Sequence, residues 1–171
     1  MDTLECIRKK RDVRNYSDSE ITLPVLMKII EAGRLSGSAM NKQPWSFILI
    51  RDKTLLKRIA QLSPTGQFIE NVPAAIAIAT DRSNTFHEID CGRCVQNMML
   101  AAWNEGVGSC WVAGLDRPKI SKMLGLPTNK YLLTIIPFGY PEQYSVKGRK
   151  RRNAISEVAF SEKFGNPIQT T

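Results

Sequence analysis

The sequence predicts one layered domain of helices and short buried strands, of the α/β or α+β class. Three observations predict it. The 171 residues fall within the common size of one domain, about 100–200 residues, and such a chain can bury roughly 70% of its unfolded surface. With 43% apolar and 23% charged residues it is neither disordered nor fibrous. Helical periodicity alternates along the chain with short apolar runs, and no repeat, low-complexity tract or Gly/Ser-rich linker divides it.

Residues 3–11 read as a short helix. Over 23–34, Leu26, Ile29, Ile30 and Gly33 recur at i, i+3, i+4 and i+7, with Thr22 as a cap and Pro24 in the first turn. A polar loop, SGSAMNKQP at 36–44, leads to a strand at 46–51. Residues 53–62 read as helix and 73–80 (PAAIAIAT) as a buried strand. The longest helix is expected at 87–105, where Cys91, Val95, Met98 and Ala102 keep helical spacing and Gly106 can end it. GSCWVAG at 108–114 reads as a short strand. Asp116 caps a helix opened by Pro118 and closed by Gly125 and Pro127. Residues 131–140 form a last apolar strand, before a basic cluster and a tail.

The formal charge of +8 is unevenly placed. Residues 8–14 (RKKRDVR) carry five cations and one acid, and residues 147–152 (KGRKRR) carry five cations; the rest of the chain holds 14 cations against 15 acids. Such a pattern asks for an anionic partner at two defined places. Three readings follow: nucleic-acid backbone, a compact phosphate held by converging cations, or solvated charged faces. The absence of helix-turn-helix, RRM, KH or OB signatures disfavours nucleic acid.

Other classes are excluded more directly. No apolar run approaches a membrane span, and the N-terminal MDTLECIRKKR lacks the apolar core of a signal peptide. The unevenly spaced Cys6, Cys91, Cys94 and Cys110 read as reduced thiols, which points to the cytoplasm. A lone histidine, His87, cannot build a His-rich metal site, so no metal is expected. GVGSCW at 106–111 fails as a dinucleotide fingerprint, because its glycines follow a helix and lead into a strand. CGRC at 91–94 has redox spacing, but its place on a core-facing helix favours buried thiols.

The loop at 36–47 separates the anionic readings. Ser36, Gly37, Ser38 and Ala39 let backbone approach a flat ligand, and Asn41 and Gln43 offer paired donors and acceptors to ring edges. KRDVRNY at 10–16, GSAMNKQPWSF at 37–47, DCGRCVQNMMLAAWNEGVGSCW at 90–111, LGLP at 124–127, GYP at 139–141 and KRRNAISEV at 150–158 stand in order along nearly the whole chain. In that order and spacing the sequence resembles the nitroreductase family of flavin oxidoreductases.

The resemblance implies an α+β fold with a central mixed or antiparallel sheet flanked by helices. It also implies a single FMN-binding domain over 1–171 and an intertwined homodimer, in which the tail from about 154 packs on the partner subunit. Lys10, Arg11 and Arg14 would grip the flavin, Arg14 near the pyrimidine edge of the ring. Lys150 and Arg152 would bind its phosphate. Ser38, Ala39 and Asn41 would reach the flavin from the partner, and Ala113 and Gly114 would lie against the reactive N5 side. The implied activity is ping-pong hydride transfer from NADH or NADPH through FMN to a small acceptor such as a nitroaromatic or quinone. No catalytic acid or base is expected, since the flavin carries the chemistry. Two departures stand out: Asp12 replaces the family's usual Ser, and Lys10 replaces Arg, keeping charge but losing the bidentate fork. A flavin-binding sensor without turnover is the main alternative, and a nucleic-acid module the lesser one.

Overall fold

A computed structural model describes residues 2–142 and 150–169. The elements run α1 (Thr3–Lys9), α2 (Leu23–Arg34), β1 (Trp45–Ile50), α3 (Lys53–Gln61), β2 (Ala74–Asp81), α4 (His87–Asn104), β3 (Gly108–Ser109), α5 (Arg117–Met123), β4 (Lys130–Gly139) and α6 (Ile155–Val158). The four strands form one antiparallel sheet in the order β1-β2-β4-β3. This is the α+β sheet flanked by helices that the sequence predicts.

Strand β2 is buried on both faces, and its alternation builds two cores. Ala74, Ile76 and Ile78 pack with Leu26 and Ile29 of α2 and with Cys94, Val95 and Met98 of α4. Ala75 and Ala77 pack with Leu56 and Ile59 of α3 and with Ile120 of α5. Each wholly buried Ile or Leu contributes about 1.5–3 kcal/mol. The sheet therefore separates two apolar layers where the sequence suggested one core.

The register of β2 against β4 slips at a bulge. Ile78 faces Thr134 while Ala79 faces Leu132, so Leu133 is the extra residue. The slip changes which positions face each layer. Leu133, Ile136 and Phe138 join the α2–α4 core, whereas Leu132 and Ile135 join the other. The strand expected over 108–114 is shorter than predicted. Only Gly108 and Ser109 pair continuously, and Val112 adds an isolated bridge to Ile135.

Caps follow the sequence with one exception. Asp116 accepts from Lys119 N at 3.2 Å, and Asp52 likewise caps α3 through Leu55 N at 2.7 Å. Thr22 occupies the cap position of α2, but its hydroxyl makes no capping bond. Pro24 in the first turn removes one of the amides that would otherwise need a partner. Helix α1 stops at Lys9, two residues short of expectation, because Lys10 turns to an extended ψ of 134°.

The extended segment after α1 docks beside β3. Val13 N donates to Ser109 O at 3.0 Å, and Ser17 N to Tyr140 O at 2.9 Å. Two glycines permit the approach. A Cβ on Gly108 would lie 2.7 Å from Val13, and one on Gly139 would lie 2.7 Å from the Tyr16 ring. These two residues are register partners across β3 and β4. Gly139→Ala is expected to destabilise the fold by about 1–3 kcal/mol through overpacking against Tyr16. Urea unfolding checks this, with no change in midpoint as the contrary result.

Candidate functional site

The docked segment sets the first basic cluster, and its charges are held locally. Lys10 Nζ pairs with Asp12 at 2.5 Å, so the aspartate that departs from the family pattern partners the lysine that does. The Arg11 guanidinium folds back on the end of α1, reaching the carbonyls of Arg8 and Lys9 at 2.9 Å each. Those carbonyls have no partner within the helix, and a cation is favoured there.

The second cluster meets the first across the fold. Lys150 Nζ donates to Ile7 O at 2.8 Å. A cleft of about 580 Å³ is lined by Ile7, Arg8, Lys10, Arg11, Gln96, Leu100, Lys150 and Arg152. Burial, followed by the charges of Arg11, Arg152 and Lys10, holds the Lys150 ammonium below the usual lysine range. Cations crowded to this degree fit an anion with several acceptor oxygens. Lys147 and Arg149 of the second basic cluster lie outside the described residues.

The remaining candidates lie elsewhere on the chain. Arg14 is absent from that cleft, and its guanidinium lies 5.9 Å from the Phe68 ring centroid. Ala113 and Gly114 sit between α5 and the loop after α3. Gly114 N donates to Thr65 Oγ1 at 3.0 Å, and Arg117 donates to Ala113 O at 3.1 Å. Arg117 also reaches Leu132 O at 3.0 Å and Leu133 O at 3.1 Å, so one guanidinium ties the Ala113 backbone to the β4 bulge. No sequence signal marks Arg117 or Thr65.

Ser38, Ala39 and Asn41 lie in a loop against the N-terminal half of α4. Gln43 N donates to Ser38 Oγ at 2.9 Å, and Ala39 N to Asp90 Oδ2 at 3.0 Å. Met40, Asn41 and Gln43 all have φ between 46° and 54°, a left-handed conformation costing about 1–2 kcal/mol for each non-glycine residue. This loop does not line the basic cleft. A neighbouring hollow of about 540 Å³ adjoins it and shares Gln96 with the cleft.

Cys91 and Cys94 are fully buried, and burial pushes the Cys94 thiol up to about 12. Neither has the lowered ionisation of a redox cysteine, and Cys91 lies a full turn inside α4. Among the described residues no group of histidine, cysteine and carboxylate side chains could hold a metal, and no helix is long and apolar enough to cross a membrane.

The profile of the nitroreductase family matches residues 7–67 and 63–140. The chain belongs to the nitroreductase family. A relative from Methanothermobacter thermautotrophicus, provisionally named NADH dehydrogenase/NAD(P)H nitroreductase, is 32% identical over 84% of this chain and 79% of its own length. A crystal structure from Parabacteroides distasonis, with the same provisional name, superposes with a TM-score of 0.85 at 30% identity, covering 94% of this chain and 98% of that one. An FMN-dependent nitroreductase from Clostridium difficile matches at TM-score 0.85 and 26% identity, over 95% of this chain and all of that one. The matched residues include the GVG and QPW elements and Gly139 of GYP, and Gly108 and Gly139 lie against Val13 and Tyr16 of the basic segment.

The charge crowding has a measurable signature. Lys150 ionises below 10.5 when folded, so the unfolded chain binds more protons in the window beneath that value. Its unfavourable contribution is full at neutral pH and fades as pH rises toward 10.5. The melting temperature of wild-type apoprotein minus that of Lys150→Met is expected to rise across this range. A flat difference would contradict the assignment.

Proposed function

We propose that the protein is an FMN-dependent oxidoreductase that takes hydride from NADH or NADPH and passes it to a small acceptor such as a nitroaromatic or quinone. The observation that carries this reading is the meeting of Lys10, Arg11, Lys150 and Arg152 at one cleft, with the Lys150 ammonium depressed by burial and then by the other three. A concave, converging set of cations suits a compact phosphate better than a polymer backbone. The FMN dependence named for the Clostridium difficile neighbour and the nitroreductase name of the archaeal relative support the same cofactor and reductant. FMN bound there would supply the redox chemistry of hydride transfer between nicotinamide and acceptor.

The chain's own groups bind and polarise. Lys150 and Arg152 hold the phosphate, and Lys10 and Arg11 complete the grip. Arg14 would provide a fixed cation for the pyrimidine edge of the flavin, stabilising the charge that reduction brings. Ala113 and Gly114, held by Arg117 and Thr65, would offer backbone to the reactive side of the flavin ring. No side chain is assigned as acid or base.

The same reading takes the chain as one domain over 1–171 acting in a homodimer, with Ser38, Ala39 and Asn41 serving the partner's flavin. Their separation from the basic cleft of their own chain supports a shared site. The tail supports it too: Ile155, Val158, Phe164 and Ile168 are all more than half exposed, an apolar set that needs a cover.

Purified protein is expected to be yellow, or to take up one FMN per subunit, and to oxidise NADH or NADPH with nitroaromatic or quinone acceptors. Failure of apoprotein to bind FMN would overturn the reading. Arg14→Ala combined with Arg152→Ala removes two charged contacts and is expected to weaken FMN binding roughly a hundredfold or more. Fluorescence titration measures that loss, and circular dichroism verifies the fold. Light scattering is expected to give a dimer, and a monomer that still binds FMN tightly would count against the shared site.

A further inference from the structure

The 36–43 loop carries three of the proposed flavin contacts, and its internal bonds, Gln43 N to Ser38 Oγ and Lys42 N to Ala39 O, leave Ser36, Gly37 and the Ala39 amide to be held from outside. It contains three left-handed residues, none of them glycine. Such a conformation persists only where the surroundings over-determine it. Those surroundings are one face of α4. Asn97 Nδ2 donates to Ser36 Oγ at 2.7 Å, fixing the start of the loop. The Arg93 guanidinium crosses over Gly37, where a Cβ would lie 2.7 Å from Nη2. The Asp90 carboxylate, 2% exposed, accepts from Ala39 N through Oδ2, while Oδ1 faces Arg93 Nη1 at 3.8 Å.

Asp90, Arg93 and Asn97 stand at i, i+3 and i+7, so a single helical stripe grips the loop at Ala39, Gly37 and Ser36 in turn. A buried carboxylate is costly unless paired and hydrogen-bonded. This one is spent on a single backbone amide of a strained loop and on one surface arginine. We propose that the Asp90–Arg93 pair on α4 positions the 36–43 loop, setting Ser38, Ala39 and Asn41 in the geometry that meets the flavin. The role presupposes the flavin reading above. Neither side chain touches the cofactor; both act through the loop, as supporting groups do around a preorganised site.

Full-length apoprotein of wild type, Asp90→Ala, Asp90→Asn and Arg93→Ala would be titrated with FMN well below each melting temperature. Visible-region circular dichroism of the bound flavin would be recorded alongside. Asp90→Ala is expected to raise the FMN dissociation constant about tenfold, in line with the loss of a charged hydrogen bond, and to change the flavin dichroic bands. Asp90→Asn retains an oxygen to accept from Ala39 N and is expected to stay within about threefold of wild type, rescuing the band shape. Arg93 is mostly exposed, so its alanine variant keeps the fold, and it is expected to weaken binding about threefold or more with the same spectral change. A stabilising role alone would lower the melting temperature and leave dissociation constant and spectrum unmoved. If Asp90→Ala does not fold, Arg93→Ala decides: binding within twofold of wild type with unchanged bands overturns the proposal. If wild type binds no FMN, the flavin reading itself falls and this role falls with it. Tight wild-type binding with unperturbed variants removes only the positioning role.

Discussion

Everything in this molecule is arranged around the burial of β2. Its run from Ala74 to Ala79 is at most 1% exposed, with strands on both edges and helices on both faces. A strand covered on all sides leaves no polar alternation to set its register, so its partners must set it. Strand β4 does so with a bulge, and the bulge leaves the carbonyls of Leu132 and Leu133 facing Arg117. The backbone position of Ala113 is thereby inherited from the packing in the centre of the sheet.

The basic cleft obeys the opposite constraint. Like charges repel, and the depressed ionisation of Lys150 reflects first its burial and then that repulsion. The fold tolerates it because each cation is anchored by a neutral or acidic neighbour: Lys10 by Asp12, Arg11 by the carbonyls ending α1, Lys150 by Ile7 O and Arg152 by Arg151 O. What remains is a cluster preorganised for an anion, with its reorganisation cost met during folding rather than at binding.

Much of this was legible in the sequence. Helical spacing located α2, α3 and α4, and apolar runs located β1, β2 and β4, each to within about two residues. The charge pattern picked out Arg8, Lys10, Arg11, Lys150 and Arg152 of the cleft together with Arg14, which lies outside it, because clustered cations are a compositional signal independent of geometry. Other features left no such trace. The bulge at Leu133 looks like any position in an apolar run. The glycines of GVG and GYP read as turn residues, yet Gly108 and Gly139 act by leaving room for Val13 and Tyr16, a contact between segments far apart in sequence. Asp90 reads as an ordinary acidic residue in a first helical turn, and only burial shows what its carboxylate holds. Left-handed Met40 and Gln43 were equally hidden, since local propensity argues against them, whereas Asn41 is of a type that tolerates that conformation.

The bond from Lys150 to Ile7 joins positions 143 apart. Loop closure over such a length is entropically unfavourable until the intervening sheet has shortened the path. During translation at roughly 5–20 residues per second, residues 7–11 leave the ribosome some 7–30 seconds before Lys150 does. For that interval the nascent chain carries half of an anion site and cannot close the other half. Under the proposed function, an anion held by both clusters would therefore be bound only after the whole sheet has assembled.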